Sequence, residues 1–182
     1  GVFALYTYVE PLLTQVTHMA GGLVALTLLL FGAGLAAGNL LGGRLADRGV
    51  MRALVLSIAA LMVVLAAGRW AFGTPAVAMV YVVLLGTVAF ATVAPMQMRV
   101  LQQAGDSGAN LASSLNIAAF NLGNALGAWV GGGVIGAGLG LLSVSGAAAG
   151  LTAVGLALAL WSGHQPRAGL PGMSSGAGAQ AK

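Results

Sequence analysis

Between Asp106 and Arg167 the chain carries no charged residue. That stretch constrains the fold more than any motif. A bilayer core of about 30 Å takes about 20 apolar residues of helix. The stretch is too long for one crossing, so it predicts two. The glycine-rich "GAGLG" of 136–140 is the natural break between them. The rest of the chain obeys the same rule. Seven basic and three acidic residues serve 182 residues, of which 59% are hydrophobic. A soluble domain carries roughly 25% charged residues, so this chain cannot cover a water-facing surface of its size. Lipid is the solvent that suits it. The net charge of +4 therefore points to membrane topology and gives no reason to expect nucleic acid.

Six crossings are expected, at about 2–16, 21–43, 51–70, 75–98, 110–135 and 141–162. The apolar runs are continuous and lack the sustained alternation of a membrane barrel. The expected fold is an all-α membrane protein. Six crossings place Arg44, Arg48, Arg52, Arg99, Arg167 and Lys182 on one side and leave only Arg69 on the other. The positive-inside rule makes the first side cytoplasmic, with both termini there. Trp70 and Trp161 fall at helix ends, where indoles favour the interface. The tail 166–182 is small and polar and is expected to be a disordered cytoplasmic segment. The first residues lack the basic start of a signal peptide. The chain opens abruptly inside apolar sequence, which leads to the expectation of further sequence upstream.

Glycine is the second signal. Gly34, Gly38 and Gly42 recur at four-residue spacing in the second segment, and Gly123, Gly127 and Gly131 do so in the fifth. In lipid such stripes let helix backbones approach closely. They are either fixed packing seams or seams that slide. The "GAG" of 32–34 is no nucleotide loop, because no strand precedes it and no lysine follows.

The fifth segment, "NLASSLNIAAFNLGNALGAWVGGGVIG", is the most polar. Ser113, Asn116, Phe120, Asn124, Gly127 and Gly131 share a stripe narrower than about 100°. Amides in hydrocarbon are costly unless paired or facing a wet cavity. Asn116, Phe120 and Asn124 are thus candidate cavity residues, with interhelical packing as the alternative. Glu10 is the one acid well inside an apolar run. An intramembrane carboxylate is a candidate for carrying a proton. Pro11 beside it loosens the helix, so Glu10 could instead sit near water. Pro95 ends or kinks the fourth segment. Met96 and Met98 read as packing residues. His18 and His164 have no partner at metal-ligand spacing, and the chain has no cysteine. No cofactor motif, nucleophile elbow or carboxylate pair is present, so an intramembrane enzyme is disfavoured.

Four of the ten charges cluster in "GNLLGGRLADRGVMR", residues 38–52. This stretch resembles the cytoplasmic-loop signature of the major facilitator superfamily, roughly G-x-L-A-D-R-x-G-R-[RK]. Gly43, Leu45, Ala46, Asp47, Arg48 and Arg52 match; Val50 and Met51 depart. The weakened copy resembles the one between helices eight and nine of that family. "YTYVEPLLTQVT" is similar to the start of helix seven in its drug:proton antiporter branch, which includes arabinose-efflux-permease-like proteins. "NLASSLNIAAFNLGNALGAWVGG" is similar to helix eleven. The resemblance covers about residues 2–163 and implies the carboxy-terminal six-helix half of a twelve-helix transporter in a bacterial inner membrane. It further implies proton-coupled efflux of a small organic compound, such as a drug or sugar, by alternating access between two halves. It implies a latch in which Gly43, Asp47, Arg48 and Arg52 meet a missing amino-terminal half. The alternative is an inactive fragment or a non-transporting helper subunit.

Overall fold

The computed structural model describes residues 1–164, the side chains of Asp106, Ser107 and His164 excepted. The tail expected at 166–182, with Arg167 and Lys182, lies outside the described residues. Every regular element described is helical. The elements are α1 (Val2–Tyr6), α2 (Val9–Pro11), a π-helical turn (Leu12–Val16), α3 (Gly21–Arg48), α4 (Val50–Ala71), α5 (Pro75–Phe90), α6 (Val93–Gly136) and α7 (Ser143–His164). Four stretches are long and apolar enough to cross a membrane: Gly21–Arg48, Val50–Ala71, Pro75–Gly105 and Ser143–Gly163. The chain is an all-α membrane protein.

The first segment, expected as one helix over 2–16, is broken into three pieces. Pro11 has no N–H to give the preceding turn. The Thr17 amide then reaches five residues back to Leu12 O, at 3.0 Å, and so closes the wide turn. The Thr17 hydroxyl ties this end to Phe72 O, in the α4–α5 turn, at 3.1 Å. Leu5, Leu12 and Leu13 are fully buried against Leu65, Phe72, Leu85 and Val144. The broken segment thus supplies much of the core at that end of the bundle.

α3 packs on α5 through the first glycine stripe. A Cβ built on Gly34 would meet Val83 O at 2.6 Å, and one on Gly42 would meet Ala91 O at 2.5 Å. Gly38, between them, stands closer still to the Thr87 backbone. Pro95 leaves Ala91 O without its helical donor, and the helix breaks at Ala91–Thr92. The expected crossing 75–98 therefore becomes α5 followed by the first limb of α6. The freed carbonyl is the one that faces Gly42.

Two further boundaries differ from expectation. The charged cluster expected as a loop is helical up to Arg48, because Leu45, Ala46 and the arginines are good helix formers. The turn is Gly49 alone, at φ 153°, a region that favours glycine. The fifth segment, expected from Asn110, starts just after Gly105, whose non-helical backbone (φ 64°, ψ −180°) separates the two limbs of α6, and it runs on to Gly136. α7 lies against α4, where Gly68 faces Ser145 and Gly163 faces Met51.

Candidate functional site

The second limb of α6 has two unlike faces. Leu111, Leu115, Leu122, Leu126 and Trp129 are exposed, Trp129 to 74%. By helical geometry they fall within roughly 60° of one another, as a lipid-facing stripe does. The opposite stripe faces the bundle. Gly127 lies 3.1 Å, from a built Cβ, to the Ala4 amide of α1. Gly131 backs onto Ala4 O and the Tyr8 ring, and the Tyr8 hydroxyl donates to Ala128 O at 3.1 Å. These contacts hold the broken first segment against α6. Gly123 differs from its two companions: nothing lies within 4 Å of its built Cβ. It lines open space and packs on no helix.

That space is a cleft of about 310 Å³. Asn116, Phe120 and Asn124 all line it. α1, α4, the α5–α6 junction and α7 supply the other walls, through residues such as Phe3, Leu61, Phe90, Met96 and Thr152. Phe3 meets Phe120 edge to face, with ring centroids 6.1 Å apart. Met96, expected only as packing, also reaches this cleft.

A polar network closes one end. Asn116 Nδ2 donates to Gln97 Oε1, and Gln97 Nε2 donates to Ser113 Oγ at 2.9 Å. Gln97 lies on the first limb of α6 and its two partners on the second. The network therefore spans the Gly105 kink and satisfies amides that hydrocarbon would leave costly. Gln97 was missed in the sequence. It follows a proline in an apolar stretch, and only the fold of α6 back on itself brings it beside Asn116.

The remaining predicted residues lie outside the cleft. Glu10 is exposed on the short α2, and its backbone carbonyl accepts from the Thr14 hydroxyl at 2.9 Å. Asp47, Arg48 and Arg52 are exposed around the α3–α4 turn and Gly43 is half-buried. Nothing lies within 4 Å of a Cβ built on Gly43. Among the described residues no group of His, Cys, Asp and Glu could hold a metal ion.

Long apolar helices around a solute-sized cleft with an amide and phenyl wall define an integral membrane protein of the polytopic class. Comparison with known proteins is in keeping with that class. The chain is 45% identical over 164 residues to the inner membrane transport protein YdhP of Escherichia coli (strain K12), covering 88% of this chain and 40% of that protein. It is 36% identical over 135 residues to the uncharacterized MFS-type transporter YtbD of Bacillus subtilis (strain 168), covering 72% and 34%. It is 31% identical over 127 residues to a chloramphenicol resistance protein of Streptomyces lividans, covering 70% and 32%. The chain thus spans about two fifths of the length of YdhP, and less of the others. Over most of its own length the chain is thus similar to part of proteins named as inner membrane or MFS-type transporters. No family model and no solved structure matches the chain.

Proposed function

We propose that the chain is the carboxy-terminal six-helix half of a secondary active transporter of a bacterial inner membrane. It moves a small organic compound outward, in exchange for protons, by alternating access against an amino-terminal half. Both of its ends are cytoplasmic. The observation that carries this reading is the cleft: Asn116, Phe120 and Asn124 line one space of about 310 Å³, a volume suited to a small ligand. Similarity to named transport proteins over most of the chain supports it.

Two other sites have roles in this scheme. Asp47, Arg48 and Arg52 are exposed at the α3–α4 turn, placed to meet a helix end of the other half. A carboxylate at a helix N-terminus gains about 0.3–1 kcal/mol there. Glu10 is the carboxylate offered for proton coupling, on the first segment, which is broken into three pieces.

The test is reconstitution in vesicles with an imposed proton gradient, with and without the amino-terminal half. Solute movement is expected only when both halves are present. No movement in either case, with correct insertion, would favour an inert fragment or helper subunit. Asp47→Asn is expected to slow turnover and leave solute preference unchanged. Glu10→Gln is expected to uncouple movement from the gradient; coupling that survives it removes Glu10 from the mechanism.

A further inference from the structure

The cleft wall is built as a ladder. Asn116, Phe120 and Asn124 stand four residues apart along the second limb of α6. Each step rises about 6 Å, so the two amides are about 12 Å apart with the phenyl ring midway. The other polar side chains of the cleft are already engaged. The Thr92 hydroxyl donates to Ala89 O at 2.6 Å and the Thr152 hydroxyl to Ala148 O at 2.8 Å. One end of the Asn116 amide is held by Gln97. Among the described residues its other end has no hydrogen-bond partner, and neither has the amide of Asn124, which lines the same cleft. Among the described residues no charged side chain lines the cleft. An ion entering it would shed water with no opposite charge to receive it.

We propose that the cleft takes an uncharged, elongated organic molecule. Its apolar or aromatic middle lies on Phe120, and a hydrogen-bonding group at each end, about 12 Å apart, meets Asn116 and Asn124. Gln97 is a positioning residue: it touches Asn116 and fixes which way the amide faces. This deepens the transporter reading and rests on it for the identity of the cleft as the solute site.

The probe is chloramphenicol, which is uncharged and carries an aryl ring between a nitro group and an amide-diol end. Tetraphenylphosphonium and benzoate serve as charged aromatic counterparts. Binding is measured by equilibrium dialysis to the chain in nanodiscs of phosphatidylethanolamine and phosphatidylglycerol. The chain carries an amino-terminal tag, so that no free α-amino group sits at Gly1. Chloramphenicol is expected to bind saturably to the chain and not to empty nanodiscs, and neither ion is expected to displace it. Asn116→Ala and Asn124→Ala are each expected to weaken binding about tenfold, the worth of one lost hydrogen bond. Gln97→Ala is expected to weaken it, and to add nothing in an Asn116→Ala background. Asn124→Leu, which suits a membrane helix better than the amide does, is expected to abolish binding with helix content unchanged.

Three results overturn the inference: no binding of chloramphenicol, binding that survives Asn124→Leu, or equal binding of either ion through the same amides. Loss of proton-driven transport with chloramphenicol binding intact sinks the transporter reading alone. Transport of a charged solute that requires Asn116 and Asn124 sinks this inference and leaves the transporter reading standing.

Discussion

Gly38 has the Thr87 backbone pressed against the place where a side chain would begin. Gly38→Val must push α3 off α5, and overpacking of this kind costs about 1–3 kcal/mol. A lower midpoint in thermal unfolding of the chain in detergent is the expected outcome. Gly43→Ala, five residues on and open at its built Cβ, is expected to unfold at the unchanged midpoint. If Gly43→Ala nonetheless slows transport in the joined halves, its role lies in contact with the other half. An equal loss of midpoint in both variants would show that the glycine stripe does not set the α3–α5 distance. Spacing alone revealed this stripe, since close approach in lipid needs small residues at one face. Spacing alone also grouped Gly123 with Gly127 and Gly131. It could not separate them, because what faces a glycine depends on where a partner helix ends, and α1 reaches Gly127 but leaves Gly123 open.

Two limbs and one glycine make up α6. Gly105 takes φ 64° and ψ −180°, a conformation that only glycine holds cheaply. Gly105→Ala is expected to cost about 1–3 kcal/mol and to open the angle between the limbs. Spin labels at Leu101 and Leu111 would then read a longer distance by pulsed electron resonance. An unchanged distance would mean that the Gln97–Asn116–Ser113 network alone holds the limbs. Much of this element was legible in advance. Helical geometry placed Asn116, Phe120 and Asn124 on one stripe, and the structure puts all three on one cleft. The opposite wall was not legible. It depends on how four other elements pack, which a one-dimensional pattern does not encode. Nor were the true ends of the helices around Asp47 and Asn110. Charge there suggested loops, whereas helix propensity and a single glycine turn carried the helices through.

The whole chain has no cysteine, so single cysteines report its topology without further change. Arg48→Cys is expected to react with a membrane-impermeant maleimide only from the cytoplasmic side, and Gly73→Cys only from the outer side. Labelling of both from one side would overturn the six-crossing arrangement, because α4 alone separates them. The broken first segment bears on the molecule's mechanics. α3 and α5 touch through their backbones, so they are stiff as a pair. Residues 2–17 have no continuous helical ladder, yet they place Phe3 in the cleft and Thr17 at the α4–α5 turn. A single stretch of chain thus ties the cleft, at Phe3, to the α4–α5 turn, at Thr17.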